Sequence, residues 1–154
     1  MKMKPFNFLF PAITLILLFQ ACTPQSCFEE TDAFVKASFY KDDTGLITPP
    51  DSLTLYGIGM ESRRLYNKGS KIQPALFPLN AASGISSFII RINGIADTIT
   101  FTYSSYPHLI SKECGYAFYH NIDTPVVTNN EIKSVTLTKS NITTLNEENI
   151  RINY

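Results

Sequence analysis

The sequence contains no tryptophan, only two histidines, only three cysteines and no block of basic residues. Each scarcity excludes something. His108 and His120 are isolated, and together with Cys114 they fit no zinc-ligand spacing, so neither a metal nor another cofactor is expected. Thirteen basic and thirteen acidic residues, unclustered, leave no electrostatic footprint for nucleic acid. Without tryptophan, a stacking platform for sugars loses its strongest residue. Gly-x-Ser-x-Gly, His-Glu-x-x-His and phosphate-loop patterns are also missing. The acid pairs Glu29-Glu30, Asp42-Asp43 and Glu147-Glu148 are sequence neighbours, and neighbours on a strand point to opposite faces. An enzyme is therefore not expected. The catalytic alternative is a hydrolase with a site near His108 and His120.

Long hydrophobic runs are missing too. Phe8 to Phe19 is apolar apart from Pro11 and Thr14, too short for the roughly 20 residues that a spanning helix needs. Preceded by Lys2 and Lys4, it has the layout of a secretory signal. Ala21-Cys22 resembles the lipobox of bacterial lipoproteins, in which the cysteine is acylated and becomes the first mature residue; Phe19 and Gln20 depart from its commonest form. The resemblance implies a signal peptide over 1–21, a palmitate-type anchor on Cys22 and a tether over 22–27. By resemblance to lipoprotein sorting, the non-acidic Thr23 implies the outer membrane. The lack of an acidic tract directly after Cys22 favours the periplasmic face over the cell surface. The remainder, 28–154, is long enough for one domain with a core and too short for two.

With Cys22 acylated, two thiols remain, Cys27 and Cys114, 87 positions apart. Disulfides persist in exported proteins, and an even remainder invites pairing. Two separate buried thiols are the other reading.

Helical periodicity hardly occurs; period-two alternation dominates. Ala33, Val35, Ala37 and Phe39 share one face, and Leu53 and Leu55 another. Around Asn93-Gly94, Phe88, Ile90 and Ile92 precede Ile99, Phe101 and Tyr103 in a hairpin pattern. Cys114, Tyr116 and Phe118 alternate with Gly115, Ala117 and Tyr119, and Val135, Leu137, Ile150, Ile152 and Tyr154 supply two more inward sets. "SRRLYNKGSKI" (62–72) is polar and turn-rich, and "ALFPLNAASG" (75–84) suits a sheet edge or crossover. Seven or eight short strands without crossover helices predict an all-β fold: an antiparallel, two-sheet, immunoglobulin-like β-sandwich.

"TYSSYPHLI" (102–110) places Tyr103, Tyr106, Pro107 and His108 in an expected inter-strand connection, where aromatic side chains could form a binding surface. Tyr56 and Tyr66 are candidates to extend it. The lipobox with a second cysteine soon after it, "FVKASFY", "LTLYGIG", "ALFPLN", "TITFTY" and "ECGY" together resemble a family of uncharacterised bacteroidete envelope lipoproteins, a domain of unknown function. The resemblance spans roughly 27–138; it implies the compartment and supports the Cys27–Cys114 pairing. The expected protein is a non-catalytic, lipid-anchored envelope module that binds or assembles with an envelope protein or glycan. A secreted-enzyme inhibitor acting through 102–110 is the alternative.

Overall fold

A computed structural model describes residues 26–154; the signal segment and Cys22 lie outside them. The described chain is all strand and loop. It opens with β1 (Phe34–Tyr40), β2 (Leu53–Gly57), β3 (Tyr66–Gly69) and β4 (Ala75–Pro78). β5 (Ile85–Ile92), β6 (Ile95–Ser111) and β7 (Gly115–Ile122) come next. The short β8 (Val126–Val127), β9 (Ser134–Leu137), β10 (Asn141–Ile142) and β11 (Ile150–Asn153) complete it.

Two sheets result. One runs β4-β1-β11-β9; the other runs β10-β7-β6-β5-β2-β3, with β8 beside β6. The expected β-sandwich is present. It has more strands than the sequence pattern displays, because β3, β8 and β10 are brief pairings inside turn-rich segments. All pairings between strands are antiparallel except β1 with β11, where Ala37 faces Ile150 and Tyr40 faces Asn153. A parallel pair needs a long connection, and here that connection is almost the whole domain.

Alternation explains the packing. Val35, Ala37 and Phe39 of β1 and Ile150 and Ile152 of β11 turn toward Leu53, Leu55, Ile90, Ile99 and Phe101 of the other sheet, all fully buried. Phe77 of β4 contacts Phe88 and Phe101 edge-on, each at 5.3 Å between ring centroids. This crossed-ring arrangement suits the aromatic quadrupole.

Asn93 and Gly94 form a two-residue turn, both with positive φ (50° and 98°), and Ile92 faces Ile95 across it. Positive φ at both positions is the type I′ geometry, which matches the twist of the strands it joins. Asn93 also accepts the Ser52 N–H through Oδ1 at 3.1 Å, joining the turn to the start of β2.

Asp97, buried near the start of β6, organises the loop before β9. Its Oδ1 accepts from Thr128 Oγ1 (2.7 Å) and Asn130 N (2.8 Å); its Oδ2 accepts from Glu131 N (2.8 Å) and Ile132 N (3.0 Å). Burial works against its charge, but these four donors outweigh it and hold the carboxyl below its usual pKa. The reward is the placement of Ile132 in the core, with no exposed surface.

Asp97→Ala should therefore cost about 3 kcal/mol or more, since an unsatisfied buried donor costs ~1–3 kcal/mol; a lower urea midpoint at unchanged slope is the readout. Because the folded pKa is depressed, the carboxylate's stabilisation is complete above the unfolded value of about 3.9. It disappears as pH falls through the folded value. Asp97→Asn should flatten that acid limb, measured as unfolding midpoint against pH.

Candidate functional site

β6 is the longest strand, and only its first half lies in the sandwich. β5 pairs with it as far as Thr102, opposite Ile85. From Tyr103 to Ser111 its strand partner is β7, so the two form an arm that extends past β5. The segment 102–110 is therefore strand, not the expected connection. Pro107 sits opposite Phe118, on a stretch of β6 bordered by a strand on one side alone. Proline is tolerated in a strand where an N–H is not needed for a ladder.

The arm's alternation divides the expected surface between two faces. Tyr103, Ser105, Pro107 and Leu109 continue the core side set by Ile99 and Phe101, whereas Tyr106 and His108 point the other way. Tyr103 is buried. Its hydroxyl donates to the Asn80 carbonyl (3.0 Å), accepts the Asn80 N–H (3.0 Å) and bonds Ser86 Oγ (2.8 Å). Tyr103 thus pins the loop after β4 to the base of the arm and presents no binding surface. On the outer face, Tyr119 stacks on His108 at 4.4 Å and meets Tyr106 edge-on at 6.0 Å, while Tyr106 donates to Asn141 Oδ1 at 2.7 Å. Tyr56 and Tyr66 lie on β2 and β3, beyond β5, and do not join this group.

The core side of β7 carries Tyr116, Phe118, His120 and Ile122. Ile122 and His120 are buried, but Tyr116 and Phe118 are exposed. Their alternation with Ala117 and Tyr119 is as the sequence pattern has it, and the opposing sheet does not extend far enough to cover them.

His120 shares its register position with Ser105, whose Oγ lies 2.8 Å from Nδ1. Burial lowers the imidazole pKa, so the ring is neutral at pH 7. It lies edge-on to Tyr103 at 5.4 Å and lines a cavity of about 350 Å³ with Asp32, Leu79 and Phe118. A nucleophile pair of this kind works when a third group orients the histidine. Among the described residues, no carboxylate hydrogen-bonds the ring. His108 lies on the opposite face of the arm, so the two histidines cannot act on one substrate atom. Nor do the described residues include a group of three His, Cys, Asp or Glu side chains able to hold a metal ion.

A second cleft, of about 370 Å³, lies at the base of the arm between the turns after β2 and β4. Ile58, Met60, Leu65, Ile85 and Phe88 form its apolar lining and Arg63 its cationic rim. The first four side chains are exposed. Sequence reasoning missed this cleft. The available signal was apolar residues, Ile58, Met60 and Leu65, inside a turn-rich segment with no alternation to bury them.

At the arm's tip Cys114 forms a disulfide with Cys27. Gly115 follows at φ 72°, a conformation that closes the turn without a Cβ clash. The bond joins the first described residues to the far end of β6 and β7.

A family of unknown function, DUF6452, matches residues 52–154. The chain belongs to DUF6452. No curated protein and no solved structure matches it. The DUF6452 match runs from the start of β2 to the C-terminus, so it includes the arm, the cleft and Cys114, while β1 and Cys27 precede it.

The non-reduced described domain should be two hydrogens lighter than the dithiol and resist alkylation at Cys27 and Cys114. Replacing both cysteines by serine should cost on the order of 4.6 kcal/mol in the chain-entropy account, given the 87-residue separation. Urea unfolding of the two forms measures that difference.

Proposed function

We propose that this DUF6452 chain is a non-catalytic binding module of a bacteroidete-type cell envelope, lipid-anchored through Cys22 to the periplasmic face of the outer membrane. The Cys27–Cys114 disulfide is the observation that carries the proposal. Such bonds persist where thiols are not kept reduced. This one begins five positions after Cys22, so a short tether would join the anchor to the disulfide-bonded domain. The signal-like N-terminus and Ala21-Cys22 supply the export route and the anchor.

The cleft at the base of the arm is the ligand contact in this proposal. Binding sites are concave, mostly apolar and about 300 Å³ or larger, with a few polar groups to orient the ligand. The 370 Å³ cleft, with Met60, Ile85 and Arg63, meets that description. An apolar segment of an envelope protein, with an acidic group near Arg63, is the ligand class that fits. The inhibitor alternative required a protruding loop at 102–110, and that segment is paired strand.

Cells fed labelled palmitate should incorporate label into the chain, and Cys22→Ala should abolish incorporation and release the protein from the membrane fraction. An unlabelled, freely soluble wild-type chain would remove the anchor from this proposal. Separately, Ile85→Asp should abolish capture of an envelope partner that the wild-type protein retains, while leaving the thermal midpoint within a few degrees. Equal capture by both would exclude the cleft.

A further inference from the structure

We infer that the uncovered core-side face at the tip of the β6–β7 arm rests in the lipid surface that carries the anchor, an inference that depends on the proposed acylation of Cys22. Pro107 lies opposite Phe118, and Leu109 opposite Tyr116, in one row; Phe34 and Pro78 of the opposing sheet reach the cavity that Tyr116 and Phe118 line but leave both rings exposed. Leu109 is 50% exposed, Phe118 52% and Tyr116 70%. Phe28, next to the disulfide, is 91% exposed. Clustered exposed apolar side chains of this kind mark interaction sites.

The chain length outside the described residues selects the occupant. Cys114, at the tip, is bonded to Cys27, which lies five positions after Cys22. At ~3.3–3.6 Å per residue, the tether spans at most about 18 Å, well under the ~30 Å thickness of a hydrocarbon core. An acylated Cys22 therefore keeps the arm's tip within reach of the lipid headgroups. Tyrosine is enriched at that depth, where its ring meets hydrocarbon and its hydroxyl meets water.

Charge defines the kind of lipid. Around the tip, Glu29, Glu30, Asp32 and Glu113 outnumber Lys112, so attraction to anionic headgroups cannot drive the contact. Insertion of Leu109, Tyr116 and Phe118 into a zwitterionic surface can. Such a contact does not weaken with salt, unlike one between exposed charges. Its effect is orientation: the sandwich stands on its arm with the cleft facing away from the bilayer.

The absence of tryptophan makes this directly measurable, because Phe118→Trp introduces a sole reporter. The full lipidated protein, purified from membranes, is reconstituted into phosphatidylcholine vesicles with or without brominated acyl chains. Emission from the Phe118→Trp protein should shift to the blue on reconstitution and be quenched by the brominated lipid, unchanged in high salt. Tyr106→Trp, on the opposite face, should be unquenched. Leu109→Trp reports the same face should Phe118→Trp fail to fold. Protein that floats with the vesicles yet shows no quenching overturns the docking and leaves the anchor standing. A blue shift without quenching places a second copy or another protein on the face and also overturns it. Quenching of a chain that takes up no palmitate keeps the docking and removes the anchor. A chain that neither floats nor is quenched overturns both.

Discussion

The two sheets differ in length, and much of the molecule's form depends on that mismatch. β6 has 17 residues, and the longest strand facing it, β1, has 7. At about 3.3 Å per residue these are roughly 55 Å and 23 Å. A sandwich buries apolar side chains only where both sheets are present, so β6 meets two environments. Up to Tyr103 its inner residues are core; beyond Ser105 the same face is open. Two strands alone are marginally stable in water. Here the arm is held at both ends: the Tyr103 hydroxyl fixes its base through Asn80 and Ser86, and the Cys27–Cys114 bond fixes its tip.

The same mismatch separates what could be read in the sequence from what could not. Alternation is local, so the inner faces of β1, β2, β5 and the first half of β6 follow directly from residue order, as does the Asn93-Gly94 hairpin. Even the direction of Tyr116 and Phe118 is legible. Whether another sheet covers them is not, because coverage depends on the length of strands elsewhere in the chain. Ser104, Ser105 and Pro107 gave 102–110 the composition of a connection, and only pairing with β7 makes it a strand. Asp97 is another such case. One carboxylate in a polar pair gives no local sign that four donors converge on it from a segment some 30 positions later.

The polar groups inside the fold are mostly committed to structure. Asp97 places the loop that delivers Ile132, and the Lys36 ammonium caps the Leu145 carbonyl at 2.7 Å. Asn149 accepts from the Lys36 N–H at 2.9 Å, while its Nδ2 is buried without a partner among the described residues. Burial keeps His120 neutral, the form a general base needs, but among the described residues no carboxylate hydrogen-bonds the ring that contacts Ser105. A general base acts by geometry before pKa, and this one lines its cavity with no orienting carboxylate bonded to it among the described residues. Its cross-strand bond to Ser105 joins the arm at the point where burial ends.

With Cys22 acylated as proposed, the Cys27–Cys114 bond would put the arm's tip at the membrane end of the sandwich. A bond at the fifth residue after the proposed anchor would limit how far the tip can move from it. The cleft lies beside Ile85, which pairs with Thr102, while the tip lies beyond Ser111. Nine residues of strand separate those levels, roughly 30 Å at the usual rise. A tip held at the headgroups therefore carries the cleft clear of the bilayer, into the aqueous space where a protein segment is more accessible than a lipid tail. In the proposed arrangement the arm would be a spacer between anchor and cleft, and its length follows from the mismatch between the sheets.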